Sequence, residues 1–296
     1  MMKTLTAMIT IAGRPNVGKS TLTNYLVGEK IAIVSNKPQT TRNRICGIVT
    51  KEDIQYVFVD TPGYHRARTK LGDYMVNTVR ESIADVDATI LVIEPVANIG
   101  TQEEALIEKL KASRCPVILA INKIDTVEKE ALLEVIAVYA QAMEFAAIIP
   151  ICAKNGDGIE ALLAECRKFA VESPFMFDAD QTTDQPERQV MAEIIREKIL
   201  WNLDREIPHG TAVEITKFSE RDNGIIDIDA TIYCEKASHK GIIIGKGGAM
   251  LKKISSQARA DCEKFMGTKV YLTTWVKVKE NWRDSDFLVR NFGYSE

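Results

Sequence analysis

"LTAMITIAGRPNVGKSTLTNYLV", residues 5–27, decides the fold. An apolar run leads into Gly13-x4-Gly18-Lys19-Ser20, and a helix-like segment follows. That is the strand–loop–helix context a phosphate-binding loop requires. Its glycines let successive backbone N–H groups turn toward phosphate oxygens, and the helix start adds partial positive charge. Lys19 is placed to reach the β- and γ-phosphates, and the Ser20 hydroxyl to ligate magnesium. Val17 and Thr21 complete the nucleotide contact set of the loop.

Outward from this loop, "IQYVFVD", "ATILVIE", "PVILAIN" and "AAIIPI" read as further buried strands. "TQEEALIEKLKAS" and "TVEKEALLEVIAVYAQAM" read as helices between them. The alternation predicts an α/β domain over residues 1–172, with a doubly wound, mostly parallel sheet covered on both faces. Residues 173–188, with two prolines and many polar side chains, read as a linker in which Phe175 and Phe177 pack against something.

Three motifs end successive strands. In "DTPG" (60–63), Asp60 faces magnesium through a water and the Gly63 N–H senses the γ-phosphate. Lys19, Thr41, Asp60 and Gly63 are the candidate catalytic set; Ser20, Thr41 and Asp60 are the candidate metal set. In "NKID" (122–125), the Asp125 carboxylate can accept from guanine N1–H and the N2 amine. Adenine has no donors there, so the carboxylate discriminates between the bases. Asn122 ties the loops together and the Lys123 stem lies over the base. In "CAK" (152–154), the Ala153 N–H donates to guanine O6, flanked by Cys152 and Lys154. Four motifs in this order at strand C-termini point to GTP and GDP as ligands, with magnesium.

Tyr64 follows "DTPG" where many GTPases carry a water-orienting glutamine, so slow intrinsic hydrolysis is expected. Asn16 is the candidate to hold a potassium ion beside the phosphates. "SNKPQTTRNR" (35–44) fits a mobile segment that closes over magnesium, with Thr41 as the ligand and Thr40 as the fallback.

The pattern changes over residues 189–296. "ERQVMAEIIREKILWNL" is helical. "TAVEITKF" and "IIDIDATIYC" alternate as an antiparallel pair joined through Asn-Gly. A second glycine loop follows, Gly245-Lys246-Gly247-Gly248, but no second Gly-x4-Gly-Lys-Ser/Thr can be drawn through it. A G-x-x-G between two helices fits the loop of a KH module, which clamps about four single-stranded nucleotides. Leu251, Ile254, Ala258, Cys262 and Phe265 form the buried stripe of the next helix. Lys252, Lys253 and Arg259 lie off it, free for RNA phosphates. The order helix–strand–strand–helix–helix–strand predicts an α+β, type II KH domain. On the last strand Trp275 is expected to pack against a helix rather than stack on a base.

Charge supports the division. Residues 236–283 carry eleven basic and three acidic side chains, within a 296-residue chain of net charge −3. Such asymmetry suits a polyanion partner. Six scattered cysteines without a C-x-x-C pair, and three histidines (His65, His209, His239) without ligand spacing, argue against zinc and against a disulfide framework. No apolar run approaches the roughly 18 residues of a membrane helix, and the N-terminal stretch reads as a buried strand rather than a signal peptide.

"GRPNVGKST", "PQTTR", "DTPG", "NKID", "EIIREKI", "GIIIGKGG" and "WVKVK" together resemble the bacterial Era GTPases over nearly the whole chain. The resemblance implies a maturation factor for the small ribosomal subunit. Its KH domain would hold the 3′ end of 16S ribosomal RNA, GTP would set the domain arrangement, and RNA would stimulate hydrolysis. It also implies a cytoplasmic monomer with weak peripheral membrane association, although no anchor is visible in the residues. Cys152 departs from the commoner serine and, with Ala153 doing the reading, is expected to matter little. Residues 282–294 match the family's tail, with no role legible. Two other readings compete: a P-loop phosphotransferase with a structural C-terminal domain, and an RNA-binding scaffold with a near-inactive GTPase.

Overall fold

A computed structural model describes residues 3–64, 69–84 and 86–294. His65 lies outside the described residues. The chain divides into two compact units: one holds most of the chain up to residue 184, the other residues 33–40, 69–74 and 185–294.

The first unit is built on β1 (Leu5–Ala12), β2 (Ile45–Lys51), β3 (Ile54–Asp60), β4 (Ala88–Ile93), β5 (Val117–Ile121) and β6 (Ala147–Pro150), with a short β7 (Val171–Glu172). Strand order is β2-β3-β1-β4-β5-β6, and β7 pairs with β1. The inner strands are parallel; β2 on β3 and β7 on β1 are antiparallel. The edge strand β2 escaped the sequence reading, because "ICGIVTK" carries a glycine and follows a polar loop without the long apolar run of its neighbours.

Helices α1 (Lys19–Val27), α2 (Lys70–Ala84), α3 (Thr101–Ser113), α4 (Lys129–Ala142) and α5 (Ile159–Arg167) flank the sheet. Alternate strand residues feed opposite faces. Ile90 and Val92 pack with Leu22, Leu26, Ile159 and Leu162, while Leu91 and Ile93 pack with Val79, Leu106, Leu110 and Tyr139. Two closed cores follow, and the strand C-termini are left free to carry loops. The polar stretch after β7 is not slack. Gln55 accepts from the Met176 and Phe177 amides and donates to the Phe177 carbonyl, and Ile48 N–H donates to Thr182. Phe177 packs against Cys46, Val57 and Val59.

The second unit contains α6 (Glu187–Asn202), β8 (Ala212–Glu220), β9 (Ile226–Cys234), α7 (Ala237–Ile244), α8 (Ala249–Met266), β10 (Val270–Val278) and α9 (Asp286–Asn291). The sheet runs β10-β9-β8, antiparallel between β8 and β9 and parallel between β9 and β10. The core joins Ile194 and Ile199 of α6, Ile228 and Ile232 of β9, Ile254, Ala258 and Cys262 of α8, and Val270 and Val276 of β10; Leu251 and Phe265 pack at its margin. The tail acquires a role here. Trp282 is fully buried, donates to the Gly210 carbonyl at 2.9 Å, and packs against Phe292 and Tyr294.

Residues 33–40 group with this unit through α6. Val34 N–H donates to Glu197 at 2.9 Å, Trp201 Nε1 donates to the Val34 carbonyl at 2.9 Å, and Arg196 donates to the Thr40 carbonyl. Arg196, Glu197 and Lys198 are all buried, and Lys198 pairs with Glu197 and Asp261. A charged triplet between isoleucines survives burial only when paired and hydrogen-bonded.

Candidate nucleotide site and nucleic-acid interface

The loop after β1 holds its shape through positive φ angles: 155° at Gly13, 67° at Asn16 and 103° at Gly18. A Cβ on Gly18 would sit 2.2 Å from Asn122 Nδ2, and one on Gly13 would sit 2.4 Å from the Val92 carbonyl oxygen. Both glycines are therefore required by close approach as well as by conformation. Lys19, at the start of α1, is buried and donates to the carbonyls of Gly13 (3.2 Å) and Arg14 (2.9 Å). Burial lowers its pKa to about 8, although Asp60 opposes the shift.

Ser20, Thr41 and Asp60 converge. Ser20 Oγ donates to Asp60 Oδ2 at 2.7 Å and lies 2.8 Å from Thr41 Oγ1. Asp60 Oδ1 is buried without a hydrogen-bond partner, and desolvation raises the carboxyl pKa to about 6 against the attraction of Lys19. Three hard oxygens, one of them a partnerless carboxylate oxygen, fit a magnesium ion. Thr40, the fallback ligand, is committed elsewhere: its hydroxyl bonds Ser35 Oγ and the Lys37 carbonyl. Gly63 abuts the glycine loop, since a Cβ there would meet Pro15 at 2.8 Å. Tyr64 bonds Lys109 of α3 through its hydroxyl, with the ammonium 4.2 Å from the ring centre.

These pKa values set a pH window. Below about pH 6 Asp60 takes up a proton and loses the charge that would attract a metal ion. Above about pH 8 Lys19 loses the charge that would face a phosphate. The kcat/KM for GTP is therefore expected to be bell-shaped with limbs near these values, as measured by steady-state hydrolysis across the range. A flat profile removes both groups from nucleotide binding.

The base-reading loops follow β5 and β6. Asn122 is buried, donates to the Val17 carbonyl at 2.8 Å and accepts from Ala153 N–H at 2.9 Å. It thus ties three loops together, as expected. The Ala153 N–H, expected to meet guanine O6, is engaged with Asn122; a bound base must share it. Lys123 donates to the Asn16 backbone carbonyl at 2.8 Å. Cys152 has more to do than the sequence suggested. Its Sγ lies 3.3 Å from Asp125 Oδ1 and donates to the carboxylate that would read guanine. A thiol is a weak donor. Cys152→Ser is expected to tighten GDP binding by about two- to fivefold through a stronger bond, as read by equilibrium titration; a weaker-binding serine variant removes the thiol from base positioning.

In the second unit, Gly245 (φ 72°), Gly247 (59°) and Gly248 (81°) form the turn between α7 and α8. They differ in kind. A Cβ on Gly245 would meet Met250 Cβ at 2.7 Å, whereas Gly247 and Gly248 face open space. Lys246, Lys252 and Lys253 surround the turn, and all three are exposed. Arg259, expected to be available to phosphate, pairs with Glu263 at 2.9 Å. The expectation for Trp275 is corrected: it is 60% exposed and Tyr271 is 59% exposed, both on the open face of β10. The strand turns its valines to the helices, which leaves no helix for the indole.

Residues 8–123 match a family described as 50S ribosome-binding GTPase, and residues 206–283 match the KH domain family. GTPase Era of Ruminiclostridium cellulolyticum is 52% identical over 97% of this chain and 96% of its own length. The chain belongs to the Era GTPase family. Era of Alkaliphilus metalliredigens is 50% identical over 97% of both chains. Two solved Era structures align throughout. One, in complex with MgGDPNP and nucleotides 1506–1542 of 16S ribosomal RNA, is 34% identical with a TM-score of 0.94, covering 99% of this chain and 100% of the other. The other, a single-residue variant of Aquifex aeolicus Era bound to GDP.AlF4-, is 35% identical with a TM-score of 0.95 and covers 100% of both chains.

Two features of this Era-family chain were missed in the sequence: the pairing of Arg14 with Glu103, and the buried charges of Arg196 and Glu197. Only the triplet Arg196-Glu197-Lys198, set among isoleucines, carried a local signal.

Proposed function

We propose that the chain is a GTP-hydrolysing switch whose KH unit holds the 3′ end of 16S ribosomal RNA during maturation of the small ribosomal subunit. One observation carries the reading: a nucleotide site with a guanine-selective carboxylate and a KH glycine loop ringed by lysines occur in one chain. The 16S complex of a full-length relative supports the choice of RNA.

In this reading Lys19 and the loop from Gly13 to Thr21 hold the phosphates. Ser20, Thr41 and Asp60 would hold magnesium, whose charge would offset that of the phosphates. Gly63 reports the γ-phosphate, and Asp125 with the Cys152–Lys154 loop selects guanine. Gly247, Gly248, Lys246, Lys252 and Lys253 clamp RNA, and Arg259 joins them by releasing Glu263. Domain limits at residues 172 and 189, a cytoplasmic monomer and a peripheral membrane contact belong to the same proposal; among the described residues no helix is long and apolar enough to cross a membrane.

The test is filter binding with GTP, ATP and a 16S 3′-end oligonucleotide. Preference for GTP together with oligonucleotide affinity is expected; preference for ATP, or no affinity for the RNA, overturns the proposal. The engagement of Tyr64 with Lys109 favours one second reading, an RNA-binding scaffold with residual hydrolysis. Hydrolysis that neither RNA nor potassium accelerates would select it.

A further inference from the structure

A strip of alternating charges runs across the nucleotide site at the C-terminal ends of three strands. Glu103 begins it, in the first turn of α3 and only 1% exposed. Its Oε1 accepts from Arg14 Nε at 2.7 Å, and its Oε2 accepts from the Gly100 N–H at 3.1 Å. The buried Tyr139 hydroxyl also bonds this carboxylate. Both oxygens are thus engaged and the carboxylate has one orientation. Arg14 lies 3.6 Å from Glu94, just after β4. Glu94 pairs with Lys123 at 2.5 Å, and Lys123 donates to the Asn16 carbonyl at 2.8 Å. The strip therefore leaves the glycine loop at residue 14, crosses the β4 and β5 loops, and returns to it at residue 16.

The glycine loop needs such a hold. Its positive φ angles preclude a regular ladder; its Arg14 carbonyl accepts from Lys19, and its Gly13 carbonyl accepts from Lys19 and from the Tyr64 N–H. An ammonium has three donors, and phosphate oxygens compete for the two spent on those carbonyls. A side-chain anchor from Arg14 does not compete with phosphate. Its guanidinium fork suits two carboxylates in fixed positions.

We propose that Arg14 and Glu103 are positioning residues for nucleotide binding: they anchor the phosphate loop to α3 and, through Glu94, tie it to the lysine of the base-reading loop. Neither touches the reacting atoms. Removal of the anchor loosens GTP and its transition state alike, so KM rises and kcat stays.

The inference rests on the guanine-nucleotide reading of the site, and the test separates the two. Wild type, Arg14→Gln, Arg14→Lys, Glu103→Gln and the Arg14→Gln/Glu103→Gln double variant are compared in the full-length protein for GDP affinity, GTP KM and kcat, and thermal melting. The side chain of Arg14 is about one-third exposed, so its replacement leaves the core intact. Each Gln variant is expected to weaken GDP and raise KM by ~5–10-fold, the size of one favourable, partly screened ion pair, with kcat within about twofold. The double variant is expected to be no worse than either single variant. Arg14→Lys, which keeps the charge but loses the fork, is expected to fall between wild type and Arg14→Gln. Additive losses, or lowered melting with unchanged GDP affinity, overturn the proposal, because they describe a structural contact only. Failure of the wild type to bind GDP would instead sink the nucleotide reading itself.

Discussion

Asp125→Asn is expected to weaken GTP by about 10²–10³-fold and to make xanthosine triphosphate the better ligand. The carboxylate has two acceptor oxygens for two guanine donors, N1–H and the N2 amine. Asparagine keeps one acceptor and turns the other into a donor, which then points at the N2 amine. One bond is replaced by a donor facing a donor and the other loses its charge; at on the order of 1.5–3 kcal/mol for a charge-assisted bond, the two effects together give the range stated. Xanthine carries a carbonyl in place of that amine, so the inverted pair fits it. Cys152 keeps its place, since asparagine offers the same oxygen at Oδ1 to the thiol. Competition between the two triphosphates measures the effect, and unchanged GTP affinity would remove Asp125 from the site.

Gly247→Asp is expected to abolish RNA binding, by on the order of 100-fold or more, while leaving GTP affinity unchanged. The backbone at Gly247 is left-handed, with φ 59° and ψ 22°, a region aspartate enters at modest cost. A Cβ there meets nothing within 4 Å, so the fold tolerates the side chain. An RNA backbone does not, because close approach is blocked and a negative charge faces phosphate. Gly245→Ala provides the contrast. Its Cβ would lie 2.7 Å from Met250 Cβ and 2.9 Å from the Met250 amide, so it is expected to lower thermal stability as well as RNA affinity. Parallel loss of RNA and GTP binding in Gly247→Asp would mean misfolding and would withdraw the assignment of the turn.

Much of this was legible in the sequence, for definite reasons. The parallel strands are mostly apolar runs, and four of the five carry a motif at the C-terminal end, so Lys19, Asp60 and Asn122 could be placed from order alone. Asn122 was foreseen as the tie because its motif already demands a side chain with both a donor and an acceptor. The edge strand β2 was not foreseen, since a strand that starts Ile45-Cys46-Gly47 has its apolar run broken by a glycine and follows a polar loop. Trp275 was misjudged because alternation tells which residues share a face, not whether another layer covers that face. Arg14 and Glu103 lie 89 residues apart, and a pair so distant leaves no periodicity to read. The role of Cys152 was hidden for the opposite reason. It depends on the direction of one S–H bond within a motif already explained.

The hold of α6 on residues 33–40 is made largely on main-chain atoms: the Val34 amide, the Val34 carbonyl and the Thr40 carbonyl. Atoms of that kind are the same in every amino acid. That part of the grip does not depend on which side chain stands at residue 34 or 40, and an alanine at either position would leave it in place. The heritable part of the contact is written in the helix, in Arg196, Glu197 and Trp201. The stretch just before Thr41 is thus gripped by atoms that a substitution other than proline at residue 34 or 40 cannot remove.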